Sequence, residues 1–148
     1  MKRIAALFAL TVLVFASPSA RADAKADEWK TLVGTWKVET ATLNGQDSID
    51  VFKSLVLTVE EGKYKVDFGG MSDIGTIELD LAKTPKEMKL DGTEGTNKGR
   101  THHAIYEVSK DKDTVKVCYA LDGGKAPTAF ESKADSMRLL ITYKREKK

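Results

Sequence analysis

The sequence predicts an all-β fold, an antiparallel up-and-down barrel of eight strands, or nine, behind a short N-terminal helix. Three observations predict it. From Gly34 onward, apolar and polar residues alternate with period two in run after run, as half-buried strands require. Compact turn sequences separate the runs, and short links join antiparallel neighbours. No helical period interrupts the series, so the strands can bury their apolar faces only in a sandwich or a closed barrel.

The helix comes first. Asp27 is placed to cap it, and Trp29, Leu32 and Val33 recur at helical spacing. The first strand then carries Trp36, Val38 and Thr40 on one face, the second Leu55, Leu57 and Val59, and the third Tyr64, Val66 and Phe68. Ile77, Leu79 and Leu81 mark the fourth, and Met88 with Leu90 the fifth. His102, Ala104, Tyr106 and Val108 form the inward face of the sixth, and Val115, Val117, Tyr119 and Leu121 that of the seventh. Met137, Leu139, Ile141 and Tyr143 close the series. The segment Pro127 to Ser132 reads either as the bent start of the last strand or as a ninth one.

The turns between them are Asn44-Gly45, Glu61-Gly62, Gly69-Gly70, Thr84-Pro85, Gly92 to Gly99, Lys110 to Lys112 and Asp122-Gly123-Gly124. In an up-and-down series, alternate turns fall at the same end. The compact ones (61–62, 84–85, 110–112) gather at one end, and the longer, Gly-rich ones at the other. One closed end and one loop-rimmed end is the layout of a ligand-holding barrel.

Ahead of the helix, residues 1–22 read as a cleavable export signal. Lys2 and Arg3 supply its basic start, Ile4 to Phe15 is an uncharged apolar run, and Ala20-Arg21-Ala22 places small residues at the cleavage point. The run is too short to cross roughly 30 Å of hydrocarbon as a helix. The expected product is one mature domain, residues 23–148, exported to the periplasm or the extracellular space. No later stretch is apolar enough for a helical membrane span.

Charge and cysteine content exclude several classes. Three of the 24 basic residues lie in the leader, so the mature chain carries one more acid than base. The two signs are interleaved, and only Lys144 to Lys148 is a basic cluster, which a solvated terminus explains without nucleic acid. Cys118 is the single cysteine, so no internal disulfide holds the domain, and a small residue packed in the sheet is its simplest role.

At this point the chain resembles a known group. Gly34-Thr35-Trp36, opening the first strand after a short helix, resembles the Gly-x-Trp signature of lipocalins and related barrels. The resemblance implies a basic residue near the end of the last strand packing over the tryptophan, and Arg145 stands there. Gly34, Trp36 and Arg145 are thus expected to be structural. From Leu32 to Arg145 the chain is similar to a family of small exported lipocalin-like domains abundant in planctomycete-type bacteria. Asn44-Gly45, Tyr64 through Gly69, Gly75-Thr76, Ile105-Tyr106-Glu107, Val117-Cys118-Tyr119 and Pro127-Thr128 carry that similarity. It departs at Ala126, where the family has arginine, and at His102-His103-Ala104, where a small residue often precedes Ile-Tyr. The family implies a fold and brings no activity with it.

The residues suited to chemistry converge poorly. His102 and His103 are adjacent in a strand and point to opposite faces, so they do not share a metal. A tight turn at 111–112 pairs Ile105 with Cys118, Tyr106 with Val117 and Glu107 with Lys116. That register makes His103 only a diagonal neighbour of Cys118, which leaves the thiol without a base. Gly92 to Arg100 precedes a strand, whereas a phosphate loop feeds a helix, and it reads as a mobile rim loop. No catalytic motif, cofactor or metal is called for.

What remains is the lumen. Tyr64, Phe68, Met88, His102, Tyr106 and Tyr119 are the candidate ligand-binding residues, with Phe52 contributed by a lid that also carries Ile49 and Val51. Such a lining suits non-catalytic binding of a small hydrophobic or amphipathic molecule. The alternative is a barrel filled by its own side chains, serving as a protein-interaction or structural module.

Overall fold

The computed structural model describes residues 17–148; the basic start and apolar run of the expected leader lie outside the described residues. The chain forms helix α1 (Pro18–Leu32), strand β1 (Gly34–Leu43), a two-residue strand β2 (Gln46–Asp47) and a one-turn helix α2 (Ile49–Phe52). Strands β3 (Val56–Glu60), β4 (Lys63–Phe68), β5 (Met71–Asp80), β6 (Lys86–Glu94), β7 (Thr101–Val108), β8 (Thr114–Ala120) and β9 (Arg138–Arg145) follow. Every neighbouring pair is antiparallel, and β1 pairs with both β3 and β9. The eight long strands therefore close into an up-and-down barrel, which leaves no free edge along its wall. The extra strand is β2, folded back on β1 by the Asn44-Gly45 turn.

Alternation dictates most of the register. Val59 faces Tyr64, Leu79 faces Met88 and Tyr106 faces Val117, all with their apolar sides inward. Ile105 pairs with Cys118 and Glu107 with Lys116, as the cross-strand matching requires, and the last pair meets at 3.5 Å. In β1 the period breaks. The register against β9 shifts between Val38 and Thr40, so Ala41 is buried and Thr40 is exposed. A bulge inserts one residue and so exchanges the two faces beyond it. Thr40 is thus not an inward residue.

Three segments depart from their expected form. Helix α1 starts at Pro18 with Ser17 as its N-cap, accepting from the Ala20 amide at 3.4 Å, so Asp27 lies inside it and caps nothing. Proline suits the first turn, where its missing N–H would have no partner. The position after Ala22 thus falls within α1, whose residues 18–27 are all exposed. Val33 is 41% exposed and ends the helix without joining the core. Second, β6 runs on to Glu94, and the rest of that loop is pinned: the Asn97 amide and side chain donate to Asp73 at 3.0 and 3.1 Å. Third, Pro127 to Ser132 forms no strand. The long β8–β9 link lies against the outer face of β7 and β8, where the Cys118 thiol donates to the Glu131 carbonyl and Lys116 sits over Phe130. Ile105 and Cys118 point outward from the barrel and yet are fully buried beneath it.

The closed end holds the tightest packing. Trp29 and Leu32 of α1 plug it, and the Trp36 indole N–H donates to the Leu32 carbonyl at 2.9 Å. Arg145 lies over the Trp36 ring at 4.2 Å and donates to the carbonyls of Thr31, Val33 and Lys112. A Cβ on Gly34 would come within 2.7 Å of the Arg145 guanidinium, at a φ of 145° that side chains rarely adopt. Glycine stands there for both reasons.

Candidate functional site

The barrel is solid below and hollow above. Below, around Trp36, Val59, Ile77, Met88 and Val117, the interior leaves a void of about 30 Å³, room for little more than one water. Above, a cavity of about 450 Å³ opens between the long loops. Its wall is aliphatic, from Leu55, Leu57, Val66, Leu90, Leu139 and Ile141. Strand parity puts these side chains inside, and the loops at this end supply too few large residues to fill the space. Phe52 of α2 stacks on Phe68 at the mouth, with ring centroids 5.9 Å apart and planes 15° from parallel.

Polar groups enter at two levels. The mouth has Asp73, Asn97 and Arg100 from the β4–β5 and β6–β7 sides. Asp73 is held by Asn97, while Arg100 is exposed. His102 lines the wall, with its Nδ1 3.4 Å from the Ala120 carbonyl. Deeper, Tyr64, Tyr119 and Tyr143 line the cavity, and the Tyr119 and Tyr143 hydroxyls bond to each other at 2.9 Å. Burial pushes Tyr119 up to about 12, raises Tyr143 well above the ordinary phenol value and raises Tyr64 as well, with Asp73 and Asp91 adding to the last. All three are neutral donors at ordinary pH.

Five of the residues expected from sequence come together here: Phe52, Tyr64, Phe68, His102 and Tyr119. Two stand elsewhere. Met88 packs in the solid lower half. Tyr106 is buried at the closed end, where its hydroxyl donates to Glu28 of α1 at 3.0 Å, and Glu28 in turn takes the Lys86 ammonium at 2.9 Å. Inward parity is common to the whole barrel, so it does not distinguish the height at which a side chain enters. Of the lid residues only Phe52 reaches the cavity; Val51 is 59% exposed. Sequence reasoning overlooked Asp73, Asn97 and Arg100, which lie in or beside loops where no period operates. It also left out Leu57, Val66 and Leu139, whose parity was available.

Other chemistry finds no assembled site. Cys118 is buried on the outer face with its thiol pKa raised by desolvation, and His103 pairs with Ala120, two positions along the ladder from the Ile105–Cys118 pair. Among the described residues no group of three His, Cys, Asp or Glu side chains is placed to hold a metal, and no helix is long and apolar enough to cross a membrane. No family model matches the chain, and neither a curated protein nor a solved structure gives a significant match to it.

Proposed function

We propose that this chain is an exported, non-catalytic carrier that holds one small hydrophobic or amphipathic molecule in the upper half of its barrel, as a lipocalin-like domain would. The observation that carries this reading is the 450 Å³ cavity with an aliphatic wall, a few hydroxyls and an aromatic pair at its mouth. That volume lies within the range of small-molecule sites, roughly 300–1,000 Å³. The competing reading, a filled barrel serving as an interaction module, fits the lower half but leaves the upper void without a purpose. Export is supported by the basic start, apolar run and small residues of positions 1–22 and by the exposure of residues 17–27: no described residue up to Ala22 is buried.

The test is made on protein recovered from the exported fraction. Its intact mass should correspond to a chain starting at Asp23. Organic extraction of the denatured protein should release an apolar compound, and the emptied protein should take up apolar probes with one site per chain. A mass that retains residues 1–22 would overturn the export reading. Absence of saturable uptake by the emptied protein would overturn the carrier reading.

A further inference from the structure

The deep end of the cavity holds hydroxyl protons that the protein does not all take up. Tyr119 and Tyr143 line both the upper cavity and the small void beneath it, so they form part of the floor between the two. Their hydroxyls face each other at 2.9 Å. A phenol has one proton to donate. Whichever hydroxyl donates within the pair, the other keeps a proton that finds no protein acceptor among the described residues. Tyr64 supplies a third hydroxyl. It is 6% exposed, lines the same cavity and has no hydrogen-bond partner among the described residues. Its ring is fixed against Gly75, where a Cβ would come within 2.6 Å of it.

We infer that the ligand is an apolar molecule bearing a neutral oxygen acceptor, such as a ketone or ester carbonyl, and that it enters acceptor first, its oxygen taking the spare protons of the Tyr119–Tyr143 pair and Tyr64. This rests on the carrier reading above and narrows its ligand class. A hydroxyl that faces the cavity gains an acceptor from an incoming carbonyl, whereas an alkyl terminus displaces water from it and leaves its proton unpaired. A carboxylate is the wrong partner for the floor. It would lose its hydration among neutral phenols, and the nearest cation lining the cavity, Arg100, stands on the exposed rim.

The experiment compares two probes on the exported, emptied protein: a medium-chain methyl ketone, and the hydrocarbon in which a methylene group replaces its carbonyl oxygen. The ketone should bind roughly three- to tenfold more tightly, the net worth of one hydrogen bond. Its carbonyl infrared band should move to lower frequency on binding. Tyr143→Phe should keep the preference, since Tyr119 then turns its proton to the ligand. The triple variant Tyr64→Phe/Tyr119→Phe/Tyr143→Phe should bind both probes equally. Equal binding by the parent, or a preference that survives the triple substitution, overturns the inference and leaves the carrier reading standing. Saturable binding of neither probe overturns both. If the triple variant does not fold, the parent decides alone, and an unshifted carbonyl band overturns the inference.

Discussion

Arg145, at the end of the last strand, lies over the indole of Trp36 on the first, its guanidinium carbon 4.2 Å from the ring centroid. The same side chain donates to the carbonyls of Thr31, Val33 and Lys112. One residue thus joins the end of α1, the entry to β1 and the β7–β8 turn to the strand that closes the barrel. Trp36→Ala should cost about 3–5 kcal/mol, as other large core truncations do. Arg145→Ala should cost about 2–3 kcal/mol, in line with hydrogen bonds to a charged group. Arg145→Lys should recover little of that, because a single ammonium cannot reproduce the planar fork. Urea denaturation of the three variants measures each, and a lysine variant as stable as the parent would contradict the assignment.

Gly34 makes room for that arrangement. Gly34→Ala should destabilise by about 1–3 kcal/mol, since it adds both a close contact at 2.7 Å and an unfavourable backbone angle. Because the clash is with Arg145, the double variant Gly34→Ala/Arg145→Ala should lose less than the sum of the singles. Additive losses would place the strain in the backbone alone.

Much of the barrel was legible in the sequence because period-two alternation is a local consequence of one buried face. The β7–β8 register followed from a tight turn at 111–112, which brings Glu107 to Lys116, and the closed end from the resemblance that sets a basic residue, Arg145, over the tryptophan of Gly34-Thr35-Trp36. Other features depend on contacts distant in sequence. Nothing near Glu39 announces the bulge that turns Thr40 outward, and nothing near Pro127 shows that its segment will cover Ile105 and Cys118. The site was half legible for the same reason. Parity put Tyr64 and Tyr106 on the same side of the wall, but the shear of the sheet sends one to the cavity and the other to Glu28.

The four tyrosines make stability sensitive to alkali. Tyr64, Tyr106, Tyr119 and Tyr143 all have folded-state pKa values raised above 10, chiefly by desolvation. The unfolded chain releases these protons near pH 10 while the folded one holds them, so the stabilisation is fully present below pH 10 and is lost as pH rises. Each group removes about 1.4 kcal/mol per pH unit in that window. Phenolate absorbance should therefore appear together with loss of near-ultraviolet dichroism. Full ionisation of the tyrosines in a chain that is still folded at pH 11 would contradict this.

Cys118 should be inert in the native state. Its side chain is fully buried under the β8–β9 link, and desolvation raises the thiol pKa. Reaction with a thiol reagent at neutral pH should be at least about a hundredfold slower than in the urea-unfolded chain, because only an opened state populated at a per cent or less reacts. Comparable rates in the two states would show that the link does not cover the thiol.

On the carrier reading proposed above, the upper cavity takes a guest and the lower half does not. Substitution by a large side chain separates the two. Val66 lines the cavity and Val117 lies in the packed lower interior. Titration of an environment-sensitive apolar dye against the parent, Val66→Trp and Val117→Trp, with melts of all three, is the most direct measurement. The parent should bind one dye per chain. Val66→Trp should keep its stability to within about 1 kcal/mol and bind at least tenfold more weakly, because the indole occupies the guest's space. Val117→Trp should lose about 1–3 kcal/mol or more to overpacking. Dye binding unchanged by Val66→Trp, or absent from a well-folded parent, would contradict the carrier reading.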